Sequence, residues 1–205
     1  MKVLIIDYGM GNVASVKRAI EECGVNDVVI SHRLDDFDDC THAILPGVGA
    51  FPDAMNNLKS KGLVSRIRDL ALQDKVPLLG ICLGMQLLAT RGTEVSEQEG
   101  LDLISGTVVP MTPSKSERIP HVGWNELDFE QPHDPLLADV KNHSDFYFVH
   151  SFHFVPDHSS HILTKTPYAG GFVSAVRTGN IMGVQFHPEK SSTTGFQLLR
   201  NFLNM

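Results

Sequence analysis

The sequence of 205 residues contains few cysteines, no long cluster of positive charge and no long apolar run. Three cysteines without a C-x-x-C pair do not make a disulfide framework and are typical of a reducing compartment. The formal net charge is −7 and the longest basic cluster is Lys17-Arg18, which argues against nucleic-acid binding because that binding depends on neutralising phosphates. No apolar run approaches the ~20 residues of a membrane span, and the run before Asp7 is too short for a signal peptide. We expect a cytoplasmic protein with no nucleic-acid or membrane partner.

The first half of the chain alternates short apolar runs with amphipathic stretches. The apolar runs predict strands at 3–6, 28–30, 43–45 and 76–81. The amphipathic stretches predict helices at 13–23, 52–61, 63–73 and 83–89. This alternation predicts a parallel sheet with helices on both faces.

After Gly100 the apolar runs follow one another more closely. They predict strands at 107–109, 146–154, 161–166, 172–177 and 181–186, and the pattern then changes to a last helix at 196–203. We expect these strands to add to the same sheet in antiparallel fashion, and the polar stretch 111–117 to be a mobile loop. The predicted fold class is therefore α/β, with residues 1–205 forming a single three-layer domain around a mixed, mostly parallel sheet.

A glycine-rich turn follows the first predicted strand. Residues 9–14, GMGNVA, fit the G-x-G-x-x-A pattern of dinucleotide-binding loops. Such a site needs an acidic residue at the end of the second strand, where Ser31, His32 and Arg33 stand instead, and Asp7 would repel a pyrophosphate. We interpret the glycines as a tight strand-to-helix turn and expect no cofactor.

The stretch GICLG, residues 80–84, places a cysteine where a predicted strand meets a predicted helix. G-x-C-x-G is the cysteine version of a nucleophile elbow, a strained turn that aims the nucleophile out of the sheet. Glycine is needed on both sides because larger side chains would collide with the turn. The helix start favours the thiolate, which is the reactive form. We predict that Cys82 is a nucleophile, whereas Cys23 and Cys40 are core residues.

The stretch HPE ends a predicted strand and provides a histidine and a carboxylate. In extended chain, residues i and i+2 point to the same side, so Glu189 can reach one ring nitrogen of His187 and leave the other for a nucleophile. Pro188 restricts its own backbone and that of His187. This is the base and orienting carboxylate of a catalytic triad.

A third glycine-rich turn, PGVG at 46–49, follows the strand at 43–45. Backbone N–H groups at such a turn can bind an anion, and beside a thiolate they can form an oxyanion hole. Alone, the turn could equally be structural. Eight histidines other than His32 and His187 lack Cys or carboxylate partners at ligand spacing, so we expect no metal and interpret them as surface residues or residues that support the site.

Together the three motifs resemble those of the class I (triad) glutamine amidotransferases, which use G-x-C-x-G for the nucleophile and H-P-E for the base and its carboxylate. Further stretches resemble the glutaminase subunits of imidazole glycerol phosphate synthase. These are DYGMGN at 7–12, RIPHVGWNEL at 118–127, YFVHSF at 147–152 and GVQFHPEKS at 183–191. The resemblance runs from the first strand to the final helix and implies the flavodoxin-like fold of class I amidotransferases.

The resemblance implies that the nucleophile attacks the carboxamide of L-glutamine and that the resulting thioester is hydrolysed to glutamate. The implied catalytic residues are Cys82, His187 and Glu189. The implied oxyanion residues are Gly47, Val48, Gly49 and Leu83. The implied glutamine contacts are Gln86, Glu94, His150 and Ser151. The family often has tyrosine where Phe152 stands, so no hydroxyl role is carried over there.

The resemblance also implies a protein partner. Ammonia would pass to a separate cyclase subunit with a (β/α)8 barrel, forming a heterodimer that makes imidazole glycerol phosphate and an aminoimidazole carboxamide ribonucleotide in histidine biosynthesis. The implied interface residues are Asn12, Trp124 and Lys190. In such subunits the glutaminase is weak until the partner is loaded, which would follow if the 46–49 turn must first present an N–H.

Three alternatives remain open at this point. The chain could serve another synthase, of the anthranilate or aminodeoxychorismate type, although GMGN and PHVGWN would then be unexpected. It could be a cysteine hydrolase that acts on esters or peptides. It could also be a non-catalytic dinucleotide-binding module that uses the opening turn, despite the chemistry around that turn.

Overall fold

The computed structural model describes residues 1–114 and 117–205, so the middle of the loop predicted at 111–117 lies outside the described residues. The helices are α1 (Val13–Glu22), α2 (Phe51–Ser60), α3 (Leu63–Leu72), α4 (Leu83–Leu87) and α5 (Ser192–Leu203). In the described ranges, none of the helices has both the length and the apolar character needed to cross a bilayer.

One large sheet organises the molecule. In spatial order its strands are β2 (Asp27–Ser31), β1 (Lys2–Ile6), β3 (His42–Gly47), β4 (Leu78–Cys82), β14 (Ile181–Val184), β13 (Phe172–Thr178), β12 (Ile162–Thr166) and β9 (Asp128–Phe129). The first five are parallel to one another, and the last three continue the sheet in antiparallel fashion. The predicted α/β fold with a mixed, mostly parallel sheet is confirmed.

Alternate residues of the central strands face opposite sides of the sheet, so two apolar layers form. Leu4 and Ile6 of β1 belong to the layer covered by α2, α3 and α4. Val3 and Ile5 belong to the layer covered by α1 and α5. All four side chains are fully buried, which explains why a strand with helices on both faces is continuously apolar rather than alternating.

Part of the second half was predicted wrongly. The apolar run 146–154 is two strands, β10 (Asp145–His150) and β11 (Phe152–Pro156), separated at Ser151. Both lie outside the main sheet. Strand β10 pairs with β8 (His121–Glu126), and β11 joins β7 (Gly106–Pro110) in a small sheet with β5 (Arg91–Gly92) and β6 (Gln98–Glu99). The break at Ser151 allows one run to serve two sheets, and it lies beside the site.

Candidate active site

Cys82 occupies the strained turn between β4 and α4. Its backbone angles are φ 56° and ψ −112°, a conformation with positive φ that costs a non-glycine residue of order 1–3 kcal/mol. The flanking glycines are required by close approach. A Cβ on Gly80 would lie 2.6 Å from the carbonyl oxygen of Gly84, and one on Gly84 would lie 1.7 Å from that of Leu45. The geometry is that of the elbow which the G-x-C-x-G spacing predicts.

His187 and Glu189 form a buried pair. The His187 Nδ1 atom lies 2.8 Å from Glu189 Oε1, and the two side chains are 2% and 1% exposed. The backbone route differs from the prediction. Only His187 is extended, while Pro188–Lys190 forms a 3-10 turn that carries the carboxylate back to the ring. The hydroxyl of Ser191 donates to the His187 carbonyl at 2.6 Å and holds this turn closed.

The pKa of His187 is set by burial and by two neighbouring side chains. Burial alone would lower the pKa of His187, but interactions with Cys82 and with Glu189 outweigh it and raise the pKa to about 9. Glu189 occupies Nδ1, and Nε2 is buried without a hydrogen-bond partner among the described residues, so Nε2 is the nitrogen left for a nucleophile. A histidine of this kind is protonated near neutral pH.

The 46–49 turn lies directly beside the elbow. Gly47 pairs with Cys82 across β3 and β4, and a Cβ on Gly47 would lie 2.9 Å from the Cβ of Leu83. The N–H of Leu83 begins α4, where the first helical N–H groups have no intrahelical partner. The N–H of Val48 differs, because it donates to the carbonyl of Met10 at 3.0 Å. Of these two predicted oxyanion donors, one is therefore already engaged elsewhere.

The opening glycine turn supports this arrangement. The N–H of Gly9 donates to the Asp7 carboxylate at 3.0 Å, which closes the turn. A Cβ on Gly11 would lie 3.3 Å from Pro46, so the turn packs against the start of the 46–49 segment. Together with the bond from Val48 to Met10, these contacts connect the turn to the oxyanion segment. They agree with the interpretation of the glycines as a tight strand-to-helix turn.

A cavity of about 290 Å³ opens in front of the sulfur. Its lining contains eight of the predicted residues, namely Val48, Gly49, Cys82, Leu83, Gln86, Glu94, His150 and Ser151. A larger cavity of about 540 Å³ lies at the amino ends of the first strands and is lined by Cys23, Asp27 and Arg200. The smaller cavity is the candidate active site because Cys82 and the other predicted residues line it.

Comparison with known proteins decides the family. The model of the family "Glutamine amidotransferase class-I" matches residues 4–205. The chain belongs to this family. It is 45% identical to "Imidazole glycerol phosphate synthase subunit HisH 1" of Prochlorococcus marinus (strain MIT 9313) over 207 residues, which cover 98% of this chain and 96% of the relative. It is 44% identical to the corresponding HisH subunit of Aquifex aeolicus (strain VF5), with the same coverage.

Solved structures show the same fold at lower identity. The "Structure of PurLQS from Thermotoga maritima" superimposes with a TM-score of 0.76 at 20% identity and covers 99% of this chain and 97% of the other. A structure described as "glutamine amidotransferase" gives 0.75 at 19% identity, covering 98% and 97%. The resemblance that the motifs indicated is confirmed, and the relatives at 44–45% identity place this amidotransferase among HisH subunits.

Gln86 is held so that only one of its polar atoms remains for a ligand. Its Nε2 atom donates to the carbonyl of Phe152 at 2.9 Å and to Oε1 of Gln185 at 3.0 Å. Both N–H groups are therefore engaged, and Oε1 is left as an acceptor. In an amidotransferase this suits an N–H donor on the substrate.

Glu94 has a structural contact as well as a place in the cavity. Its Oε2 atom accepts from the N–H of Phe51 at 2.7 Å and so caps the start of α2. The other carboxylate oxygen remains for a cation. The next residue, Val95, is 94% exposed with φ 66°, and the N–H of Ser96 donates to the Glu94 carbonyl at 2.7 Å, which is a tight and strained turn.

The predicted interface residues lie on one part of the surface. Trp124 is 54% exposed on β8, and its ring centre is 6.1 Å from that of Tyr147 on β10. The ammonium of Lys190 lies 5.8 Å from the centre of the same Tyr147 ring. Asn12 precedes α1, a helix that runs beside the turn at 188–190, and its side chain makes no capping hydrogen bond in the part of the chain described.

Three of the eight histidines predicted as surface or supporting residues are buried, namely His42, His121 and His150. His150 donates from Nδ1 to the Phe152 carbonyl at 2.9 Å, so its Nε2 must accept from Nδ1 of His121 at 3.0 Å. Burial lowers the pKa of His150 to about 3, so the ring is neutral. Within the described ranges, no three His, Cys, Asp or Glu side chains come together as metal ligands would.

Several residues close to the site were not predicted from the sequence. Among them are Met10, Tyr147, Val149 and Gln185. Met10 acts through its backbone carbonyl, so its side chain gives no indication of the contact. Tyr147 lies in an apolar run and resembles an ordinary strand residue. Gln185 did give a signal, because it is a polar residue inside the apolar run 181–186 and is fully buried.

Proposed function

We propose that this chain is the glutaminase subunit of an imidazole glycerol phosphate synthase, with Cys82 as nucleophile, His187 as base and Glu189 as its orienting carboxylate. One observation carries the assignment of roles: the buried His187–Glu189 pair, 2.8 Å apart, leaves Nε2 for a cysteine that stands on a strained elbow. The identity of about 45% to HisH subunits over nearly the whole chain supports the synthase.

The proposed chemistry begins with the thiolate. The thiol proton moves to Nε2 of His187, and the sulfur attacks the carboxamide carbon of glutamine. The tetrahedral intermediate collapses when His187 gives the proton to the leaving nitrogen, so that ammonia departs and a thioester remains. Water, deprotonated by His187, then attacks the thioester, and glutamate leaves as the sulfur returns to thiolate. Glu189 keeps the ring in the tautomer and orientation that these steps need.

Substrate contacts are assigned by their free polar atoms. The carboxylate oxygen of Glu94 that does not cap α2 suits the α-ammonium of glutamine, and Oε1 of Gln86 accepts from an N–H of the substrate. The backbone of His150 and Ser151 borders the same cavity. The leaving ammonia passes to the partner.

The oxyanion segment provides a reason for activation by the partner. In the conformation described, Val48 donates its N–H to Met10, so of the Val48 and Leu83 donors only that of Leu83 would face the tetrahedral oxygen. We infer that the Gly47–Val48 peptide must turn before the second donor is available. One missing donor costs about 10² to 10³ in rate, so the free chain would be a weak glutaminase.

The partner is proposed to be the cyclase subunit, a (β/α)8 barrel that forms a heterodimer with this chain. Val122 and Trp124 are 57% and 54% exposed on β8, and an apolar patch of this kind is typical of a protein interface. Asn12 adjoins the turn whose Met10 carbonyl holds Val48, so docking at Asn12 can influence the oxyanion segment.

Reconstitution tests this proposal. The chain is mixed with the cyclase subunit of an imidazole glycerol phosphate synthase, and in parallel with synthase subunits of the anthranilate and aminodeoxychorismate types. Glutamine-dependent product formation is expected with the cyclase alone and should vanish in Cys82→Ala. Turnover with one of the other synthases instead, or an active Cys82→Ala chain, would show the assignment to be wrong.

A further inference from the structure

The sulfur of Cys82 has a neighbour that the mechanism above leaves unused. The Nε2 atom of Gln185 lies 3.7 Å from it, within range of a hydrogen bond to sulfur. Strands β4 and β14 are parallel neighbours in which Ile81 pairs with Val184, so Cys82 at the end of β4 and Gln185 directly after β14 stand side by side. The register of the sheet therefore places this amide next to the nucleophile.

The direction of the Gln185 amide follows from a chain of donors and acceptors. The carbonyl of Phe152 can only accept, so the atom of Gln86 at 2.9 Å from it is the amide nitrogen. That same nitrogen lies 3.0 Å from Gln185, and the atom it meets must be the acceptor Oε1. The N–H groups of Gln185 are then left to point toward the sulfur. A backbone carbonyl thus fixes which end of the amide Cys82 meets.

Burial keeps this orientation in place. Gln185 is fully buried and Gln86 is 4% exposed, so a flipped amide would leave polar atoms unpaired at a cost of about 1–3 kcal/mol. The backbone N–H of Gln185 also donates to the Ser174 carbonyl at 2.8 Å. The amide is therefore a fixed donor rather than a mobile side chain.

The surroundings of the sulfur make such a donor useful. As a thiol, Cys82 can donate to the carbonyl of Val149 at 3.7 Å. As a thiolate it has nothing to donate, and the same carbonyl oxygen then faces a negative charge. Helix α4 contains only Leu83–Leu87, about 7.5 Å of helix, so the opposite pole of its dipole lies close by and offsets the benefit at its start.

We propose that Gln185 is a further catalytic residue: its side-chain N–H donates to the sulfur of Cys82 and favours the thiolate over the thiol. His187 gives up its proton during the reaction, whereas the Gln185 amide keeps its own throughout. It therefore stabilises the thiolate both before attack and when the thioester breaks. Gln86 acts as a positioning residue, since its N–H holds Oε1 of Gln185. The inference rests on the proposed function, because it needs Cys82 to be the nucleophile.

Alkylation of Cys82 by iodoacetamide tests the proposal on the full chain without a partner. The reaction depends on the thiolate and needs no oxyanion donor, so the engaged Val48 N–H does not matter. The test variant is Gln185→Met, which keeps the volume and removes both polar atoms. The matched control is Gln197→Met on α5. Mass spectrometry of the labelled peptides separates Cys82 from Cys23 and Cys40.

We expect Gln185→Met to slow alkylation of Cys82 by about tenfold or more, as for loss of a hydrogen bond to a charged group, while Gln197→Met reacts like the parent. With the cyclase present, kcat should fall by a similar factor and KM for glutamine should stay within about twofold. Alkylation at the parent rate, or a change confined to KM, overturns the proposal. If Gln185→Met does not unfold cooperatively, Gln185→Leu replaces it with the same criteria.

The Cys82→Ala variant distinguishes a failure of the proposed function from a failure of the role proposed for Gln185. If Cys82→Ala still hydrolyses glutamine with the cyclase, the proposed function fails whatever Gln185→Met does. If Cys82→Ala is inactive and Gln185→Met reacts as the parent does, the proposed function stands and only the role of Gln185 is lost.

Discussion

The nucleophile elbow and the oxyanion segment are neighbours that differ in how firmly they are held. The elbow, residues 80–84, is fixed by backbone contacts so close that neither flanking glycine could carry a Cβ. The oxyanion segment, residues 46–49, has a side chain of Val48 that is 43% exposed and an N–H that bonds to Met10 rather than facing the cavity. Under the proposed function the elbow carries the chemistry and the oxyanion segment controls it, so mutations should affect the two separately.

Gly84→Ala should have the largest effect, because it introduces a steric clash into the rigid elbow. A Cβ there would lie 1.7 Å from the Leu45 carbonyl oxygen, and the backbone would have to move by more than the elbow allows. We expect destabilisation of about 3 kcal/mol or more and loss of glutaminase activity, measured by thermal unfolding and by assay with the partner. The control is Gly179→Ala, which meets no atom within 4 Å in the part of the chain described but places alanine at φ 55°, so it should cost only about 1 kcal/mol and stay active.

Glu189→Gln should leave the structure of the elbow intact and impair catalysis by His187. The Nδ1 atom of His187 would lose its carboxylate, and kcat should fall by about 10² to 10⁴ with the elbow still folded. A kcat within about threefold of the parent would show that Glu189 does not orient the base.

Stability against pH provides a second measurement on Glu189→Gln. The pKa of His187 is raised from 6.5 to about 9 in the folded chain, so its charge stabilises the fold fully below pH 6.5, and this contribution is lost as pH rises through about 9. The variant should therefore lose more unfolding free energy near pH 6.5 than near pH 10. An equal loss at both would argue against a charged pair.

Asn12→Ala should affect only activation by the partner, which the oxyanion segment is proposed to control. We expect activation by the cyclase to weaken by about two- to tenfold, as for one lost hydrogen bond at an interface. Alkylation of Cys82 in the free chain should be unchanged, since Asn12 is remote from the elbow in sequence and stands at the start of α1. Slower alkylation in this variant would mean that the elbow and the oxyanion segment are not separate.

Val95→Gly should have the smallest effect. It serves as a control for backbone strain that lies outside the elbow and the oxyanion segment. Val95 is exposed with φ 66°, a conformation that glycine adopts freely and a β-branched residue does not. We expect the free energy of unfolding to rise by about 1 kcal/mol with kcat unchanged. A fall in kcat would show that the strained conformation of Val95 is needed to hold Glu94 in the cavity.

The parallel half of the fold and the elbow could be predicted because each depends on local pattern. Strands such as Val3–Ile6 are continuously apolar since both faces are covered. Gly80 and Gly84 stand where a larger side chain would clash, so the glycines themselves indicate the elbow. The run 146–154 could not be divided, because apolar character does not say which sheet a strand joins. The strand at 121–126 was missed because its glycine and neighbouring proline argue against a strand.

Some features of the site have no sequence signal at all. The bond from Val48 to Met10 joins two backbone groups, which no residue type reveals. The contact between His187 and Glu189 was predicted, but through an extended chain rather than the 3-10 turn that makes it. The residue types were enough to predict that His187 contacts Glu189. The backbone conformation that brings them together could be seen only in the structure.

The central claim is that the nucleophile is assembled in the free chain and that only an oxyanion donor is missing. The most direct test compares two rates with and without the loaded cyclase, namely alkylation of Cys82 by iodoacetamide and hydrolysis of glutamine. We predict that the cyclase raises hydrolysis by about 10² or more, while alkylation changes by less than about threefold. An increase of both rates by the same large factor would contradict the account, because the nucleophile itself would then depend on the partner.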